Sequence, residues 1–96
     1  MDYTISPEVE GYRARIATFV ENRVLPLESD KANYDGHGNI RLDLLDELRA
    51  QAKAEGLWCL QLKPETGGTG LGKVGMAVCY EEMNRSIFGP LVFNSS

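Results

Sequence analysis

Near the C-terminal end of this 96-residue chain two acids and a base stand close together, in the run Glu81-Glu82-Met83-Asn84-Arg85. Repulsion between neighbouring carboxylates raises a pKa, which is one way to make a general acid or base. Adjacent residues on a helix diverge by about 100°, however, so these two carboxylates do not share a site. Glu81 and Arg85 are spaced i, i+4 and Glu82 and Arg85 i, i+3, and such a pair contributes a few tenths of a kcal/mol when exposed. The spacing points to ion pairing or domain docking rather than to catalysis.

The second chemical candidate is glycine-rich. Gly67 to Val74 reads G-G-T-G-L-G-K-V, close to the phosphate-binding pattern G-x-x-x-x-G-K-[ST]. The hydroxyl that would follow the lysine and ligate magnesium is replaced by Val74, and the chain that follows is too short for the parallel sheet such a loop requires. Gly70-Leu71-Gly72-Lys73-Val74-Gly75 also matches the dinucleotide fingerprint G-x-G-x-x-G. No strand runs directly into it, and no acid follows about twenty residues on. A glycine-rich turn between two packed helices is the better reading.

His37 stands alone in a polar loop with no second His and no Cys nearby, so a solvated loop residue fits better than a metal ligand. Cys59 and Cys79 each lie in an apolar run, which suits buried, reduced thiols rather than a disulfide.

These groups must be positioned by helices. Ser6-Pro7-Glu8 reads as a helix start, with serine as cap, proline at the first helical position and an acid in the first turn. Val9, Tyr12, Ile16, Phe19, Val20 and Val24 then form one stripe, and Pro26 stops the helix soon after. Glu28 to Asn39 is a loop around Asp35-Gly36-His37-Gly38-Asn39. A second helix is predicted from Leu42 to Glu55, with Leu44, Leu45, Leu48 and Ala52 on its apolar face and Gly56 as its C-terminal cap. Leu57-Trp58-Cys59-Leu60-Gln61-Leu62 is too short to classify by period, and Pro64 closes it. A third helix is expected from Lys73 to Ile87, apolar around most of its circumference and so covered on more than one side. Gly89-Pro90 opens a fourth, which runs only a few residues before Ser96.

Composition confines the function. With 43% hydrophobic and 25% charged residues the chain is one ordinary globular domain, and its net charge of −4 without basic blocks argues against nucleic acid. No apolar run approaches the ~20 residues of a membrane span. Asp2, Glu8 and Glu10 argue against a signal or transit peptide, so a soluble, cytoplasmic protein is expected.

The order of these pieces resembles the N-terminal domain of the acyl-CoA dehydrogenase superfamily, whose pattern is helix, loop, helix, G-L, apolar stretch, P-E-x-x-G-G-x-G-L, then a helix containing E-E-x-x-R. The matching residues are Gly56-Leu57, Pro64-Glu65-Thr66-Gly67-Gly68-Thr69-Gly70-Leu71 and Glu81-Glu82-Met83-Asn84-Arg85. The resemblance covers the whole chain, most strongly from Leu48 onward, and Phe88-Gly89-Pro90-Leu91-Val92-Phe93-Asn94 looks like the branch acting on longer or branched acyl-CoA. It implies an all-α fold over residues 1–96, the N-terminal helical domain of that family, with about three helices and the start of a fourth.

The resemblance further implies a parent protein that binds FAD, dehydrogenates acyl-CoA thioesters, passes electrons to electron-transfer flavoprotein and assembles as a homodimer or homotetramer. The family's flavin-binding and catalytic parts would lie beyond this sequence, so catalytic, cofactor-binding and metal residues are expected to be absent. The wall of the acyl pocket would fall on the helix opening at Gly89-Pro90, at Leu91, Val92, Asn94 and Ser95. Leu91 and Val92 read equally well as plain core residues. Other readings are an acyl-CoA oxidase or flavin monooxygenase of the same fold and, in another class, a stand-alone helical interaction module.

Overall fold

Ser6 starts the first helix by its side chain: Oγ accepts a hydrogen bond from the Val9 amide at 3.2 Å, and Pro7 occupies the first helical turn. The computed structural model describes residues 6–60 and 72–94. In it α1 spans Pro7–Phe19 and buries Val9, Ile16 and Phe19. The predicted stripe continues to Val24, but not as regular helix. Val20–Val24 widens into a π turn, and Leu25–Leu27, which contains Pro26, closes it as a 3₁₀ turn. The π turn keeps Val20 and Val24 wholly buried, while Glu21 reaches Arg85 and Arg23 reaches Glu55. Sequence periodicity does not distinguish that local widening from an α-helix.

The polar segment that follows is a loop, as expected, ordered by its own hydrogen bonds. The Asp30 carboxylate caps a 3₁₀ turn at Lys31–Asn33. The Asp35 carboxylate accepts from the amides of His37 at 2.7 Å and Asn39 at 3.1 Å, and Tyr34 forms an isolated antiparallel bridge with Ile40. Those two amides hold the Asp35 carboxyl below its usual range. His37 is exposed, in keeping with a solvated loop residue.

The second helix, α2, spans Leu42–Ala54 and buries Leu45, Leu48 and Ala52. Its end is set by backbone chemistry. Gly56 takes φ +73°, its amide donates to the Lys53 carbonyl at 3.1 Å, and the Leu57 amide donates to Ala52 at 2.9 Å. This is a Schellman ending, completed by the wholly buried pair Ala52 and Leu57. Leu60 joins them in the core.

The third helix, α3, spans Gly72–Met83 and stops short of the predicted Ile87. Ser86 explains the stop. It is 1% exposed, its Oγ accepts from the Phe88 amide at 3.1 Å, and its carbonyl accepts from Gly89 at 3.1 Å. That turn buries Phe88 and sends the chain into α4, Gly89–Phe93, with Pro90 in its first turn. Gly89 is required by close approach, since a Cβ there would lie 1.7 Å from the Met83 carbonyl oxygen. The expectation that the third helix is covered on more than one side is not met within the described chain. Met76, Cys79 and Met83 are buried on one stripe, while Val74 is 64% exposed.

The fold is all-α, with α1 packed on α3, α2 on α4, and α3 touching α4. One core holds these together. Ile16, Phe19, Val20, Leu48, Leu57, Cys79, Met83, Val92 and Phe93 all belong to it, and the rings of Phe19 and Phe93 meet edge to face with centroids 5.2 Å apart.

Candidate functional site

The short helix α4 carries two of the four residues expected to line a pocket, Leu91 and Val92, with a third, Asn94, at its C-cap, and the three face different ways. Val92 is wholly buried in the core, Leu91 is 42% exposed, and Asn94 is exposed. Ser95 lies outside the described residues. Leu91 and Asn94 therefore lie at the surface of this chain, while Val92 packs behind the turn.

Three contacts fix α4 from the α2 side. Arg49 of α2 donates from Nε to the Leu91 carbonyl at 3.0 Å. The Cys59 amide donates to the Phe93 carbonyl at 3.0 Å, and the Asn94 side-chain amide donates to the Cys59 sulfur at 2.9 Å. Asn94 closes the turn in the left-handed region, φ 51° and ψ 50°, a conformation asparagine tolerates better than most residues. Trp58 sits next to Cys59, half-buried, with Lys53 Nζ 4.6 Å and Arg49 Cζ 5.5 Å from its ring centroid.

Sequence reasoning singled out α4 but missed Arg49, Trp58 and Cys59 as the groups that hold it. The signal for Trp58 was present in part: Arg49 and Lys53 are four apart on α2, so both cations reach one side of the helix. Cys59 also holds left-handed backbone, φ 54°, which has no signature in its residue type.

The acids and base that open the chemical reading form a ladder between α1 and α3. Arg13 lies between Glu10 and Glu82, with Nε 3.0 Å from Glu10 and an NH group 3.2 Å from Glu82. Arg85 lies between Glu82, at 3.2 Å, and Glu21, at 3.0 Å. The Glu82 side chain is only 17% exposed and receives both guanidinium groups. Hydrogen bonding to Arg13 lowers the Glu10 pKa, and hydrogen bonds from Arg85 to Glu21 and then Glu82 raise the pKa of Arg85. The arrangement is ion pairing, as expected, and it uses Glu82 rather than Glu81, which faces solvent.

Both cysteines are buried free thiols, as expected. Burial pushes the Cys79 thiol up, against a smaller opposing pull from Arg13. No cluster of metal-ligating side chains occurs among the described residues, and no described helix is long and apolar enough to cross a membrane. The glycine-rich run Pro64 to Leu71, with its phosphate-loop and dinucleotide look-alikes, lies outside the described residues.

Two open grooves flank α2. One, of about 250 Å³, runs between α1 and Glu55 and is lined by Arg15, Phe19 and Arg23. The other, of about 260 Å³, has Leu27, Leu44 and Leu48 as its floor and Glu47 and Gln51 at its rim. Both fall below the roughly 300 to 1,000 Å³ of small-molecule and cofactor sites, so neither fits a dinucleotide such as FAD.

The described residues thus form an all-helical domain with a glycine-capped second helix and a short proline-led turn after α3. The family profile described as Acyl-CoA dehydrogenase, N-terminal domain, matches residues 6–95, and the chain belongs to that family. Its relatives carry the same designation. It is 33% identical to Acyl-CoA dehydrogenase family member 10 of Mus musculus over 99 residues, covering 96% of this chain and 9% of that protein. Acyl-CoA dehydrogenase family member 11 of Rattus norvegicus is 34% identical over 86 residues, 83% of this chain and 11% of that protein. A probable acyl-CoA dehydrogenase of Mycobacterium tuberculosis is 32% identical over 75 residues, 74% of this chain and 18% of that protein. The chain thus spans about a tenth to a fifth of the length of these relatives. No solved structure matches it at a significant level.

Proposed function

We propose that this chain is the substrate-side helical domain of a flavin-dependent acyl-CoA dehydrogenase, and that α4 supplies part of the wall of its acyl pocket. The observation that carries the reading is the family match over residues 6–95, which ends on α4 and the residues after it. On this reading Leu91 and Asn94 meet the acyl group by their exposed side chains, Val92 sets the turn's position from the core, and Ser95 extends the same wall. FAD supplies hydride acceptance when bound. On this reading FAD is held by other parts of the full-length protein, and these 96 residues supply no catalytic group. Acyl-CoA is the substrate, electron-transfer flavoprotein the acceptor, and a homodimer or homotetramer the assembly, in the cytoplasm.

The test is anaerobic titration of the flavin-loaded, full-length protein with acyl-CoA. Bleaching of the oxidised flavin band, with electrons passing on to electron-transfer flavoprotein, is the expected result. Rapid reoxidation by oxygen with peroxide release would replace the dehydrogenase by an oxidase. A protein that neither holds flavin nor responds to acyl-CoA would leave a helical interaction module.

A further inference from the structure

Outside glycine, the described residues hold a positive φ at only two places, Cys59 at 54° and Asn94 at 51°, and the side chains of these two residues touch. Left-handed backbone is disfavoured for residues with a Cβ and persists where surrounding contacts overdetermine it. Asparagine visits it readily; cysteine does not. What overdetermines Cys59 is α4. Its amide donates to the Phe93 carbonyl at 3.0 Å, and its sulfur accepts from Asn94 Nδ2 at 2.9 Å, with the residue 7% exposed.

The rest of α4 is held equally firmly. At its start Gly89 lies against the Met83 carbonyl with no room for a side chain. Midway, Arg49 holds the Leu91 carbonyl while its guanidinium lies over Trp58, the neighbour of Cys59. The residues from Trp58 to Cys59 and the turn from Leu91 to Asn94 are therefore joined at both ends, although more than thirty residues separate them in sequence.

We propose that Cys59 is a positioning residue: with Asn94 it forms a latch that fixes the C-terminal end of α4 and so sets the depth at which that turn bounds the acyl group. This rests on the reading of α4 as a pocket wall. Cys59 touches no substrate in this scheme, and its thiol undergoes no covalent step. Opening the latch frees the Asn94 end of the turn only, because Arg49, Gly89 and the Cys59 amide on the Phe93 carbonyl still hold its earlier part. Acyl groups long enough to reach that end respond, and short ones do not.

The test compares Cys59→Ala, Asn94→Gly and the double variant in the full-length, flavin-loaded protein. It measures kcat/KM for butyryl-CoA and palmitoyl-CoA together with the melting temperature. Each single variant is expected to change the ratio of the two kcat/KM values by about fivefold or more. The double variant should change it no further than Asn94→Gly alone, because that substitution already removes the shared contact along with the other contacts of the Asn94 side chain. Cys59→Ser keeps an acceptor at the same place and should restore most of the original ratio. A lowered melting temperature with an unchanged ratio overturns the latch and leaves a merely structural contact, and so do additive effects in the double variant. Unsubstituted protein that turns over neither thioester overturns the pocket-wall reading and the latch with it, and that failure shows before any substitution is made.

Discussion

The side-chain amide of Asn94 donates to the Cys59 sulfur at 2.9 Å, and both residues hold left-handed backbone, so the end of α4 and the turn after α2 stabilise each other's strained conformation. Strain of this kind is of order 1 to 2 kcal/mol for a residue with a Cβ and is nearly absent for glycine. The first prediction isolates it at Asn94. Asn94→Ala and Asn94→Gly both lose the side-chain amide, so the difference between them reports the backbone alone. Asn94→Ala should be the less stable by about 1 kcal/mol, or roughly 4 to 8 °C in melting temperature for a domain of this size. Equal melting temperatures would mean that the left-handed turn is not held in solution.

Gly89→Ala should be far more damaging. The added methyl would stand 1.7 Å from the Met83 carbonyl oxygen, a backbone atom that cannot move aside as a side-chain end can. Either α4 separates from the end of α3 or the turn at Ser86 opens, at a cost of about 3 kcal/mol or more. Hydrogen exchange at the Gly89, Leu91 and Val92 amides, all bonded within this turn, should accelerate. A stability change below about 0.5 kcal/mol would contradict the packing described.

Glu82 and Glu81 separate structural from incidental acids. Glu82 joins Arg13 of α1 to Arg85 beyond α3, whereas Glu81 faces solvent. Glu82→Gln should lower stability by on the order of 1 kcal/mol, the combined value of two partly screened pairs, and Glu81→Gln should have almost no effect. Adding about 1 M salt, where the Debye length falls to ~3 Å, should shrink the difference. If both substitutions behave alike, the ladder does not join the two helices.

The pH dependence follows from the direction of each shift. The carboxyls of Glu10, Asp35 and Asp43 are lowered in the folded chain by Arg13, by the His37 and Asn39 amides and by Arg41 respectively. Their contribution is present above the unfolded carboxylate range, near pH 4, and is lost as pH falls through the lower folded values. Cys79 shifts the other way, because burial raises its thiol. Its contribution is present below the unfolded thiol value, about 8.5, and is lost as pH rises above it. Melting temperature against pH should therefore show a plateau between about 5 and 8. Cys79→Ala should flatten the alkaline fall while leaving the acid one.

Much of this was legible in the sequence because it rests on short-range chemistry. Ser6-Pro7 caps α1, Gly56 ends α2 and Gly89-Pro90 opens α4, each where the residue type requires it. The π turn at Val20–Val24 was not legible, since buried residues at 16, 20 and 24 fit a regular helix as well. The early end of α3 was missed because Ser86 looks polar and replaceable in sequence, whereas in the fold it is buried and closes a turn with its own hydroxyl. The proposal that α4 bounds a pocket rests on resemblance. The separation of Leu91 from Val92 was not legible, because it depends on which side of one helical turn meets α2.

That separation supports the final prediction. Leu91 is 42% exposed and Val92 wholly buried, so enlarging each to Phe asks different questions of the same turn. Val92→Phe overpacks the core and should lower stability by about 1 to 3 kcal/mol, with activity reduced evenly across chain lengths. Leu91→Phe adds bulk on the open side and should leave the melting temperature within a few degrees of the original. If α4 bounds the acyl group, the larger ring excludes terminal methylenes. Each forfeits roughly 0.8 kcal/mol of transfer energy, about fourfold in kcat/KM. Loss of three methylenes then amounts to about sixty-fold on long substrates, with short ones unaffected and the flavin spectrum unchanged. A chain-length profile for Leu91→Phe that falls evenly, or not at all, removes Leu91 from the pocket wall. A profile that tilts for Val92→Phe instead would mean that α4 turns its other side to the substrate once the rest of the protein is in place.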